Sequence, residues 1–148
     1  MGLFSGLKGK GTEALNISTA VMVPIVAAML ADGSIDDEEV NQIRSICVWS
    51  PIYARNTRDQ DTDIILKAIK RVKEDGAESM CRQAAELLSP GLRETSFVFA
   101  VRMVFSDGHV GQSEEKLIEQ LAGWLSLDAS RAKRFVETVS VMQHTADT

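Results

Sequence analysis

The chain has 148 residues, 45% of them hydrophobic and 5% aromatic, with a formal net charge of -5 at pH 7. That length suits one domain with a real core, and the aliphatic bias with only three prolines favours helices over a sandwich or barrel. The acidic balance excludes a nucleic-acid surface, which needs a basic stripe to neutralise phosphates.

Residues 1–12 form a basic, Gly-rich leader, expected to be mobile or to lie along the surface. Its opening resembles a myristoylation signal until Gly6 stands where Ser or Thr is required, so lipidation is not indicated. The uncharged run from Ala14 to Ala31 is marginal for a membrane span. It contains Asn16, Ser18, Thr19 and Pro24 and ends on Asp32, the pattern of a central core helix. No cleavage site follows it, which argues against secretion.

Residues 13–31 read as a helix, kinked or begun afresh near Pro24, and Gly33 suits the left-handed position that closes it. Asp36 with Glu39 resembles a capping box, opening a helix over 37–49 with Val40, Ile43, Ile46 and Cys47 on its apolar face. Ser50-Pro51 breaks that helix, and a polar stretch through Asp61 leads to a helical run from Ile64 to Val72, ended by Asp75-Gly76. Ala77 to Leu88 forms the next helix, with Met80, Ala84, Leu87 and Leu88 inward, and Ser89-Pro90-Gly91 breaks it. Leu92 to Ser106 and Glu114 to Leu125 then make a second helical hairpin. The last helix starts near Asp128 and runs through Phe135, Val139 and Met142. No strand pattern is present. Basic residues gather in helical patches such as Lys67, Lys70, Arg71 and Lys73, the usual composition of solvated faces. Cys47 and Cys81 lack CxxC spacing and read as buried free thiols in a reducing compartment.

One segment occurs twice, 75 residues apart. Without a gap, Val26/Val101, Asp32/Asp107, Gly33/Gly108, Glu39/Glu114, Ile43/Ile118 and Trp49/Trp124 are identical. The expected fold is therefore all-α: a single compact bundle of about seven helices built around two helix-turn-helix hairpins, 25–49 and 100–124, related by pseudo-twofold symmetry. Trp49 and Trp124 are expected as core anchors at the repeat interface.

The paired acidic turns raise a question of ligands. Glu39 and Glu114 stand near the third position of their helices, where capping accounts for them. Asp32 and Asp107 stand at helix C-termini, where an anion is unfavourable by several tenths to about 1 kcal/mol unless a cation offsets it. That cation is either a basic side chain or a metal. If the hairpins pack about a twofold axis, Asp32, Asp36, Glu39, Asp107 and Glu114 form an all-oxygen site suited to Ca²⁺ or Mg²⁺ rather than zinc. The spacing is not that of an EF-hand, because the glycine directly follows the first aspartate. His109 is either a further ligand or a polar turn residue.

At Met29 to Ile43 and Val104 to Ile118 the sequence resembles the tellurite-resistance TerB family, whose superfamily also includes the N-terminal region of a membrane-anchored DnaJ-like co-chaperone. The resemblance covers nearly the whole chain and implies a helical domain over 13–148 with acidic residues clustered on one pole and a suspected role in metal binding. It also implies a tellurite or chemical-stress response, with some members working beside membrane proteins. The second copy departs from the acid-rich pattern, having Gly111, Gln112 and Ser113 opposite Asp36, Asp37 and Glu38. No nucleophile elbow, P-loop, dinucleotide motif or HExxH occurs, so no catalytic residue is assigned.

Three functions are open. The first is a cytoplasmic, non-enzymatic stress-response protein binding a divalent cation or a protein partner through its acidic pole. The second is a metal-free interaction module docking on a membrane or chaperone partner, peripheral to the inner face of the membrane and without a transmembrane span. The third is a metal-assisted hydrolase.

Overall fold

The structure, a computed structural model, describes residues 15–107 and 110–148. Among these residues there are seven α-helices and no strand: α1 (Ile17–Leu30), α2 (Asp37–Trp49), α3 (Arg58–Asp75), α4 (Ala77–Leu87), α5 (Pro90–Val104), α6 (Gln112–Trp124) and α7 (Ala129–Val141). Short 3-10 turns, Pro51–Tyr53 and Phe105–Asp107, follow α2 and α5. The leader lies outside the described residues.

The bundle is organised around α1. Every residue from Thr19 to Met29 is buried, and no face of the helix is polar. A helix that is apolar all round has to be enclosed, and α3, α4 and α5 pack along it, with α6 touching as well. Its 14 residues are too few for a membrane span, and among the described residues no helix is long and apolar enough to cross a membrane. Pro24 neither breaks nor restarts α1, which runs through it as one helix. A proline inside a helix costs about 3 kcal/mol. Burial of each surrounding Val, Ile or Met contributes about 1.5–3 kcal/mol, so the surroundings outweigh the local preference.

The first arms of the two hairpins, α1 and α5, make the most extensive helix contact. Across it the fully buried Ser96 hydroxyl donates to the Val21 carbonyl at 2.6 Å. These two residues are 75 positions apart, the same offset that separates the copies of the repeated segment. One turn earlier on α1, the Tyr53 hydroxyl donates to the Ser18 carbonyl at 2.7 Å, tying the turn after α2 to the first turn of the central helix.

Most boundaries follow the local chemistry. Asn16 caps α1 by accepting from the Thr19 amide at 2.8 Å, and Gly33 follows α1 at a φ of +116°, donating its amide to the Leu30 carbonyl. The end of the expected polar stretch, residues 58–61, is instead the first turn of α3. Thr57 and Gln60 form a reciprocal capping box that starts the helix at Arg58. On α4 the inner face is Met80, Cys81, Ala84 and Ala85, continued by Leu88, whereas Leu87 is exposed.

A clamp on the surface joins α5 to α7. Arg131 holds Glu94 through two bonds, Nε to Oε2 at 2.6 Å and Nη2 to Oε1 at 2.9 Å, and its guanidinium stacks over the Phe135 ring at 5.3 Å. The hydrogen bond from Arg131 holds Glu94 below its ordinary value. Asp128, which caps α7, is also lowered, chiefly by the Ser130 hydroxyl and then by the Arg131 amide.

Two outcomes are expected. Ser96→Ala removes one buried hydrogen bond and lowers stability by about 0.5–1.5 kcal/mol, seen as a reduced urea midpoint at unchanged slope; an unaltered midpoint would show that the bond contributes nothing. A carboxylate depressed in the folded state stabilises above its unfolded pKa, and that contribution is lost as pH falls through the folded value. The melting-temperature advantage of the native chain over Glu94→Gln is therefore present at neutral pH and disappears on acidification below about pH 4. An advantage that persists in full at pH 2 contradicts this assignment.

Candidate functional site at the acidic turns

The first acidic turn is built by the end of α1 and the start of α2. Gly33 reverses the chain, and the structure then uses two of the expected ligands as caps. Asp36 Oδ1 accepts from the Glu39 amide at 2.8 Å, and Glu39 Oε1 accepts from the Asp36 amide at 3.0 Å. In the second turn Glu114 Oε1 accepts from the Gly111 amide at 2.9 Å, with the Ser113 hydroxyl at 3.3 Å. Gly111 supplies no side chain for the return bond. A Cβ there would meet Glu114 Oε1 at 3.1 Å, so the bare backbone lets the carboxylate fold back closely. The two copies therefore retain the glutamate half of the box, and only the first has both halves.

Asp32 is exposed on its turn. The Asp107 side chain and Gly108 and His109 lie outside the described residues. Among the described residues, no three His, Cys, Asp or Glu side chains are gathered in a way that could hold a metal ion.

The tryptophans differ in their surroundings, although the repeat places them in register. Trp124 is partly buried and packs against the core. With Leu117 of α6, Val72 and Lys73 of α3 and Ala27, Leu30 and Gly33 of the first hairpin, it borders a cavity of about 370 Å³. The second arm of one hairpin thus leans on the turn of the other. Trp49 is not a core anchor: it is 78% exposed, and Val48 beside it is 82% exposed. The reason lies in the break after α2, where Ser50 and Tyr53 turn inward and take the interior positions at that end.

A polar cluster that the sequence did not single out lies beside this break. Asp61 of α3 is buried and accepts from Asn56 Nδ2 at 3.0 Å, while Arg44 of α2 donates to the Thr62 hydroxyl from Nη2 at 3.0 Å. Burial first, and then the Asp61 charge, pushes the Cys47 thiol up to about 12. Burial also raises the Tyr53 phenol, with Cys47 and Asp61 adding to it. Cys81, buried in α4, is pushed up to about 12 by burial alone. Such thiols stay protonated at neutral pH and are poor nucleophiles, and the tyrosine serves as a donor to Ser18. The Thr57-x-x-Gln60 spacing was the one signal that Asp61 belongs to a helix with an inward face.

No curated protein and no solved structure matches the chain. A family model described as Tellurite resistance protein TerB matches residues 18–136, a span that opens in the first turn of α1 and closes in α7. That span takes in both hairpins, both acidic turns and every helix between them, and the chain belongs to the TerB family.

Proposed function

We propose that this chain is a non-enzymatic, cytoplasmic domain of the tellurite-resistance type that works by binding a protein partner. The observation that carries this reading is the Val48–Trp49 pair, two large apolar side chains facing solvent at the end of α2 where the equivalent Trp124 is packed. An indole exposed to this degree beside a second apolar residue supplies the kind of anchor on which protein interfaces concentrate their energy. The groups that burial perturbs, Cys47, Cys81 and Tyr53, all have them raised, a direction that favours packing over nucleophilic chemistry.

In cells whose tellurite tolerance depends on this chain, Val48→Ser/Trp49→Ala should lower tolerance to that of cells lacking it. Stability should stay within about 0.5 kcal/mol of the native chain, as for surface substitutions in general. Full tolerance in cells expressing the variant at native levels removes the proposal.

The first acidic turn favours a second reading. Asp32, Asp37 and Glu38 are exposed and make no hydrogen bond or ion pair among the described residues, while the caps use only one oxygen each of Asp36 and Glu39. On this reading a hard cation, Ca²⁺ or Mg²⁺ in preference to Zn²⁺, draws in Asp32, Asp36 and Glu39, which the structure does not gather into a site among the described residues, together with Asp107 and Glu114 of the second turn. Calorimetric titration of metal-free protein should then give saturable Ca²⁺ or Mg²⁺ binding, weakened at least tenfold in Asp32→Asn/Asp107→Asn. Absence of heat for both ions, or unchanged affinity in the double variant, would sink it.

A further inference from the structure

A second concavity is lined by neither Val48 nor Trp49. It is a trench of about 970 Å³ between α6 and α7, floored by α5. Phe97, Phe105, Ile118, Ala122, Ala132 and Val136 give it an apolar floor. Its walls run from Glu115 to Gly123 on α6 and from Ala129 to Gln143 along and just beyond α7. At 1.5 Å per residue the longer wall is about 20 Å, the length of a helix of about 14 residues.

The rim is acidic. Glu115 and Glu119 on α6 and Glu137 on α7 face a single cation, Lys133. Among the described residues none of these four side chains takes part in an ion pair or hydrogen bond, so their charge is available to an occupant.

We infer that this trench docks an amphipathic helix of a partner protein, with apolar anchors at i, i+3, i+4 and i+7 on the floor and Lys or Arg flanking them toward Glu115, Glu119 and Glu137. The dimensions and apolar floor fit the helix-in-groove mode of recognition. An anionic membrane leaflet or a nucleic acid would meet three carboxylates and be repelled. A small polar ligand would find a floor without polar side chains. The chain's own leader carries Leu3, Phe4, Leu7, Lys8 and Lys10, yet Gly2, Gly6, Gly9 and Gly11 oppose a helix of the required length. A second copy is a poorer occupant too, because the basic patch on α3 belongs to a helix whose apolar side, Ile65, Ala68 and Val72, is already buried in its own core.

The test uses the full chain and a fluorescein-labelled 14-residue helical peptide with leucines at that spacing and lysines on the flanks, titrated by fluorescence anisotropy. An analogue with glutamate for every lysine is run beside it. The lysine peptide is expected to saturate and the glutamate analogue to bind at least tenfold more weakly. Glu119→Lys/Glu137→Lys should weaken the lysine peptide at least tenfold. Asp37→Lys/Glu38→Lys, the same charge change at the first acidic turn, should leave it within twofold. Circular dichroism melting confirms that both variants fold. No saturation, equal affinity for the two peptides, or equal losses in the two charge-reversed variants overturns the inference. Binding that emerges only in Phe4→Glu/Leu7→Glu protein overturns it in favour of the leader as occupant. Binding retained in Val48→Ser/Trp49→Ala protein keeps the trench separate from the face proposed above, so the two readings stand or fall independently.

Discussion

A helix without a polar side dictates the rest of this molecule. From Thr19 to Met29, α1 offers water nothing, and the only stable arrangement puts other helices on each of its sides. Four of the remaining six helices meet that demand, with α5 making the closest partnership and α3 and α4 completing the enclosure. Of these neighbours α3, α4 and α6 need only one apolar stripe apiece, whereas α5, which packs on both α1 and α7, is apolar on more than one side. Two polar ties that enter the interior, Ser96 to Val21 and Tyr53 to Ser18, end on α1 carbonyls. They add direction to a contact that hydrophobic burial alone would leave free to slide.

The duplicated segment obeys two different constraints along its length. Within the first arms equivalent positions meet: Ser96 and Val21 stand 75 residues apart, the offset of the repeat, and are joined by a hydrogen bond. At the ends the relation fails. Asp36 supplies a side-chain cap where Gly111 cannot, and Trp124 is packed where Trp49 is exposed. Core packing holds equivalent positions together because a misfit there costs several kcal/mol. Surface positions carry no such cost, so one copy is free to change its tryptophan's surroundings for another use.

Much of this architecture was legible before any coordinates. The uncharged run ending on Asp32, the Asp36–Glu39 box and the Ser89-Pro90 break are local signals, and each corresponds to an element boundary in the fold. What could not be read was whether a side chain at the right helical phase would find a neighbour. Trp49 stands three residues after the buried Ile46, a spacing that predicts burial, yet the direction the chain takes after Ser50 gives the interior to Tyr53 instead. Pro24 is the converse: a local rule predicts a break, and tertiary enclosure overrides it. The trench was invisible for the same reason, since it arises from where α6 and α7 sit on α5 and not from any one segment's pattern.

The acidic turns show how far a repeated motif can be taken as chemistry. Of the five carboxylates that invite a cation, Asp36, Glu39 and Glu114 already have backbone amides as partners, and an amide bond to one oxygen is reason enough for a carboxylate at a helix start. A cap of this kind also fixes the second oxygen in place, so capping and ligation are compatible roles. The discriminating residues are consequently the aspartates that end the first arms, because a negative charge beside exposed helix carbonyls is unfavourable without a positive partner. In the first copy that partner is not among the described side chains, for Asp32 sits exposed with no ion pair. A chain that repeats such an aspartate accepts the same local penalty twice, and at a solvent-exposed turn such as that of Asp32 the penalty is small enough for screening by water and salt to absorb it.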